Sequence, residues 1–155
     1  MKRFILVLAL FASLLSPKSS EACSCVDAAT EEQRAAMFQR QYDDAVAVFV
    51  GRAVETDRSG NTFIVQQVWK GDLRERVHLQ RSSGSPSPDL VVVSSCEYFF
   101  APTQTYLVFA YGTASAMWAQ KCTPTTELSD AAEALERLKS IAPPRPPNPE
   151  REPEP

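Results

Sequence analysis

The sequence predicts a mainly β fold, a small closed or partly open barrel with flanking helices. Three observations predict it. Five strand-like runs are separated by turn residues, a helical pattern precedes them and another follows, and two early cysteines face two late ones across the chain. Short strands in series with turn signals between them are the pattern of a closed or nearly closed β architecture.

The chain opens with what reads as a secretory signal over residues 1–22. Lys2 and Arg3 supply the positive end, Phe4 to Leu15 the apolar run, and Ser20 and Ala22 the small residues that a signal peptidase requires. The apolar run falls short of the roughly 20 residues of a spanning helix, so no membrane span is expected. Cleavage after Ala22 makes Cys23 the first residue of a secreted, extracellular or periplasmic protein. An acylation signal carries Leu three residues before its Cys; this chain has Ser20 there, followed by charged Glu21, which favours a free amine over a lipid.

The 133 residues that remain suffice for one domain, expected over 23–142 and as a monomer. The signal holds three of the bases and one of the acids, so the formal charge of -3 becomes about -5 on cleavage. Nothing in that balance points to nucleic acid.

Thr30 and Gln33 make a capping box, and Met37, Phe38 and Tyr42 recur at helical spacing, which predicts a helix from about Thr30 to Tyr42. Ala45 to Val54 is a β-branched and aromatic run, apolar on both faces, as a central strand is. Asp57, Ser59, Gly60 and Asn61 make a turn into a second strand, Thr62 to Trp69. After Lys70, Gly71 and Asp72, the alternation of Val77 and Leu79 with His78 and Gln80 predicts a third, half-exposed strand. Residues 81–89 are rich in Ser, Gly and Pro, a flexible loop before Leu90 to Val93. Tyr106 to Tyr111 reads as a strong strand and Ala116 to Cys122 as a weaker one. Leu128, Ala131, Leu135, Leu138 and Ala142 mark one face of a last helix. Seven prolines in the thirteen residues 143–155 predict a disordered or polyproline-like tail that buries nothing.

All four cysteines lie beyond the cleavage point, and an even number in an exported chain favours pairing. A bridge between Cys23 and Cys25 is strained, so each reaches a distant partner. Spacing leaves two connectivities open: Cys23 with Cys96 and Cys25 with Cys122, or the reverse. Either closes long loops, for which the chain-entropy model gives about 4 to 5 kcal/mol per bridge.

Catalytic chemistry finds no constellation here, and no enzyme is expected. His78 is the single histidine, the cysteines are consumed in bridges, and the sequence holds no Gly-rich phosphate loop or histidine pair for a metal. Asp43 and Asp44 read as the helix exit, Glu31 and Glu32 as first-turn charges that suit the helix dipole. No cofactor is implied. The mature terminus does carry chemistry. An α-amino group has an unperturbed pKa near 8, so part of it is neutral at physiological pH and able to bind zinc. With the carbonyl of the same residue it forms a five-membered chelate. Two ligands from one residue do not complete a zinc site, but they suit a catalytic zinc with an open position.

The mature Cys-Ser-Cys, the run D-D-A-V-A-V-F-V-G-R-A-V, V-W-K-G, the central Cys96, Y-L-V-F-A and the closing C-T-P-T-T-E-L together resemble the netrin-like module of the tissue inhibitors of metalloproteinases, in a single-domain form. The similarity covers roughly Cys23 to Leu138. The resemblance implies a five-stranded barrel of the oligonucleotide/oligosaccharide-binding (OB-fold) type with helices against it. It implies the bridges Cys23 with Cys96 and Cys25 with Cys122. It also implies a metalloendopeptidase inhibitor whose Cys23 amine and carbonyl chelate the target's catalytic zinc, with Ser24 in the primary specificity pocket. Flanking protease contacts fall on Cys25, Val26, Ser94 and Ser95. Netrin-like modules that bind other partners imply the alternative, a non-inhibitory extracytoplasmic binding module.

Overall fold

The protein, described by a computed structural model, is defined over residues 23–81 and 94–149. The expected signal, the connector residues 82–93 with Leu90 to Val93, and the last residues of the tail lie outside these.

A helix, α1 (Glu31–Asp44), comes first. Thr30 caps it as the sequence predicts: the Thr30 hydroxyl accepts from the Gln33 amide, and the Gln33 side chain accepts from the Thr30 amide. The strands are β1 (Ala47–Thr56), β2 (Gly60–Lys70), β3 (Arg76–Gln80), β4 (Thr105–Thr113), β5 (Ala116–Trp118) and β6 (Thr126–Glu127). A 3₁₀ turn (Leu128–Asp130) leads into α2 (Ala132–Ile141). The strand order is β3-β2-β1-β4-β5, antiparallel throughout, and β6 pairs with β4 beside this path. The two ends of that order, β3 and β5, come back into contact, giving a nearly closed five-stranded barrel of OB-fold type. A cavity of about 310 Å³ between them, lined by Arg76, His78, Ser115 and Met117, marks where the wall is open.

The predicted turn after β1 is tighter than the sequence indicates. The Asp57 carboxylate accepts from the Ser59 and Gly60 amides, at 2.7 and 3.0 Å, so the turn closes on itself. Gly60 and Asn61 therefore already belong to β2. An added Cβ at Gly60 would lie 1.9 Å from the Leu79 carbonyl oxygen, which explains why glycine stands there. Register shifts in β1 at Val48/Phe49, Val50/Gly51 and Ala53/Glu55 bend the strand around the barrel.

β1 and β4 are apolar on both faces because two cores meet across them. Phe49, Phe63, Val65, Leu79, Tyr106 and Val108 fill the barrel interior, where the Phe63 ring meets Phe49, Phe100 and Tyr106 edge-on. Their neighbours Val48, Val50, Leu107 and Phe109 point outward and pack with Phe38, Ala131 and Leu138 from the helices. Burying each such side chain contributes about 1.5 to 3 kcal/mol. The helices are thus the second layer that the outer face of the sheet requires.

Two segments depart from the sequence expectation. The run Ala116 to Cys122 is a strand only to Trp118, after which a bridge between Gln120 and Glu97 replaces it. The proline-rich tail does not hang free at its start. Arg145 exchanges both backbone hydrogen bonds with Val68, at 2.8 and 2.9 Å, and the Asn148 amide donates to the Leu73 carbonyl. The Arg145 guanidinium also reaches the Gly71 carbonyl, and the Asn148 side chain the Asp72 carboxylate. The physical reason is that β3 covers only the first half of β2, from Gly60 to Ile64. The edge that β3 leaves uncovered needs a backbone partner, and the extended segment supplies one at Val68 without a side-chain core.

Candidate functional site

Cys23 is bridged to Cys96 and Cys25 to Cys122, the connectivity that the family resemblance implies and that spacing leaves open. The two acceptor cysteines sit on neighbouring paired segments. The Lys121 amide donates to the Cys96 carbonyl at 2.8 Å, and Glu97 bridges with Gln120. That pairing draws the bridges together until the Cys23 and Cys122 sulfurs lie 3.8 Å apart.

Both anchors are themselves held. The Cys122 carbonyl accepts from the Gln41 side chain of α1 at 2.8 Å, and Cys122 adopts a left-handed conformation, φ 59°. Cys96 follows a tight turn in which its amide donates to the Ser94 hydroxyl and the Glu97 amide to the Ser94 carbonyl. Beyond it Phe100 is buried in the mouth of the barrel, and the Ala101 amide donates to the buried Tyr106 hydroxyl at 2.8 Å.

Glu97 was not singled out from the sequence. Its carboxylate is almost wholly buried next to Cys96 and pairs through one oxygen with Arg81 at 3.2 Å; the other oxygen, Oε2, is buried with no hydrogen-bond partner among the described residues. Arg81 also donates to the Asp57 and Arg58 carbonyls of the first turn. The pair therefore clamps both ends of the connector 82–96 to the barrel.

At this end of the molecule Cys23 is half-buried, while Ser24, Cys25, Val26 and Ser95 are exposed and Ser94 is half-buried. Among the described residues the large apolar side chains left exposed are Val26 and Phe99, at 82% and 55%. One follows Cys25; the other follows Cys96 by three residues and carries Lys121 over its ring at 5.6 Å. A cavity of about 280 Å³ opens beside the Cys25–Cys122 bridge, between it and α1, with Val26, Met37 and Phe38 in its wall.

A second polar cluster lies at the first turn. The Ser59 hydroxyl is 2.6 Å from the Asp57 carboxylate and 3.3 Å from the His78 Nε2, and the His78 Nδ1 is 3.2 Å from the Thr62 hydroxyl. The backbone pairing of β2 with β3 brings these residues together, which spacing did not reveal. The Ser59 bonds hold the Asp57 carboxyl below its usual range. The order is that of a capped turn: Asp57 accepts from Ser59 directly, whereas nucleophilic activation places the imidazole between the two. Among the described residues no group of three His, Cys, Asp or Glu side chains could hold a metal ion, and no helix is long and apolar enough to cross a membrane.

Compared with protein-family models, with curated proteins and with solved structures, the chain matches none.

Proposed function

We propose that this protein, exported and cleaved after Ala22, inhibits zinc metalloendopeptidases by presenting the Cys23 amine and carbonyl to the target's catalytic zinc, as a single-domain netrin-like inhibitor. The observation that carries the reading is the double staple. Cys23 and Cys25 are fixed to two different segments whose bridges touch at 3.8 Å, with Ser24 exposed between them. A terminus held this way loses little freedom on binding, so less of the interaction energy goes to ordering it. The released amine, as a neutral nitrogen donor, displaces water from the zinc's open position. Ser24 enters the primary specificity pocket, and Val26, Ser94 and Ser95 make flanking contacts. The exposed Phe99, three residues after Cys96, adds an apolar side chain.

The test is to titrate the mature protein against a panel of zinc metalloendopeptidases beside a form carrying one additional N-terminal Ala. Mature protein is expected to inhibit at least one enzyme, and the extended form to lose that inhibition, because its chelating amine has become an amide. Equal inhibition by the two forms refutes chelation. A partner held equally well by both assigns the alternative, a non-inhibitory binding module.

A further inference from the structure

We infer that the paired bridges form a thiol–disulfide exchange site for a dithiol reductant, in which the half-reduced protein carries a new bridge, Cys23–Cys122, with Cys25 and Cys96 as thiols. The non-bonded contact between the Cys23 and Cys122 sulfurs, at 3.8 Å, is the basis. One residue separates Cys23 from Cys25, so the bond to Cys122 moves along the N-terminal segment by two positions.

The reductant enters at the outer bridge, because Cys25 and Cys122 are both exposed whereas Cys23 and Cys96 are half-buried. The cavity beside the Cys25–Cys122 bridge admits it. Its thiolate attacks the Cys25 sulfur; the Cys25–Cys122 bond breaks and leaves the electron pair on Cys122. That thiolate attacks the Cys23 sulfur, the Cys23–Cys122 bond forms, and Cys96 departs as a thiolate that takes up a proton. The second thiol of the reductant then displaces the mixed disulfide, releasing Cys25 as a thiol and the reductant as its cyclic disulfide. Two electrons and two protons pass from the dithiol to Cys25 and Cys96. Opening the inner bridge at the Cys96 sulfur leads to the same product, since the Cys23 thiolate then attacks Cys122.

The chemical consequence is selective. Cys96 and its connector are released from the N-terminal segment, while that segment stays tethered to Cys122.

The experiment treats the exported protein with substoichiometric dithiothreitol, blocks thiols with an alkylating agent, and maps the peptides. The expected result is a peptide joining Cys23 to Cys122, with the mass of one label each on Cys25 and Cys96. Half-reduced protein carrying only Cys23–Cys96 or only Cys25–Cys122 overturns the inference. A second arm uses Cys25→Ser, in which Cys122 is a free thiol in contact with Cys23 from the outset. Its label is expected to divide between Cys122 and Cys96 with no reductant added; label confined to Cys122 overturns the exchange. The wild-type arm decides independently of how well C25S folds.

Discussion

Replacing Arg81 and Glu97 singly and together measures whether the connector clamp stabilises the fold. The side chains are 20% and 4% exposed and meet at 3.2 Å. Two unit charges about 4 Å apart attract by about 4 kcal/mol at an effective dielectric of ~20. Desolvating the carboxylate offsets a large part of that, so a coupling energy of about 2 kcal/mol is expected from a double-mutant cycle. Arg81→Met leaves the buried carboxylate without its cation and is expected to cost about 3 kcal/mol. Glu97→Gln costs less, about 2 kcal/mol, because Arg81 keeps the Asp57 and Arg58 carbonyls as acceptors. Urea unfolding of the four proteins, with both disulfides intact and the slope checked for constancy, supplies the energies. The exposed Lys139–Glu136 pair is the control, expected to couple by no more than about 0.5 kcal/mol. Coupling between Arg81 and Glu97 as small as the control refutes the clamp.

Three further outcomes test the rest of the architecture. Leu138→Ala removes a fully buried side chain between α2 and the barrel, and is expected to cost about 3 kcal/mol, lowering the Tm by about 12 °C. A loss below about 1 kcal/mol would mean that the outer core is not packed as described. Shortening the chain to end at Ala142 removes the Arg145 and Asn148 pairings; it is expected to cost about 1 to 2 kcal/mol and to speed hydrogen exchange of the Val68 amide, and unchanged exchange there refutes the docked tail. Burial, assisted by the Asp44 carboxylate, pushes the Tyr111 phenol up to about 12 from 10.0. Because the folded value is the higher, the stability linked to this group is complete below pH 10 and is lost as the pH rises towards 12. An ultraviolet phenolate titration, compared with that of Tyr111→Phe, should show one late-titrating tyrosine missing in the variant.

The strands and helices were legible because each carries its own periodicity. Val77 and Leu79 alternate with His78 and Gln80, and those residues occupy buried and exposed positions in turn. Thr30 and Gln33 announce a helix start that local hydrogen bonds alone satisfy. Three features escaped. β6 spans two residues, Thr126 and Glu127, too few to show a period. Arg145 gains a strand-like partner where β3 leaves the end of β2 uncovered, and Asn148 pairs with Leu73 and Arg74 beyond that strand. Glu97 reads as an ordinary surface acid until folding buries it beside Arg81, sixteen residues earlier in the chain.

The candidate site divides the same way. Cys-Ser-Cys with two distant cysteines, an even number able to pair, is written in the sequence, since covalent chemistry depends on residue type and order. Spacing could not choose between the two connectivities, because loops of such similar length cost nearly the same entropy to close. The tertiary structure decided it: the pairing of Glu97 with Gln120 sets Cys96 and Cys122 side by side, with Cys96 bridged to Cys23 and Cys122 to Cys25. The same pairing puts the Cys23 and Cys122 sulfurs in contact and leaves Val26 and Phe99 exposed beside the bridges. Proximity between residues far apart in sequence is set by sheet register and packing, which no local pattern encodes.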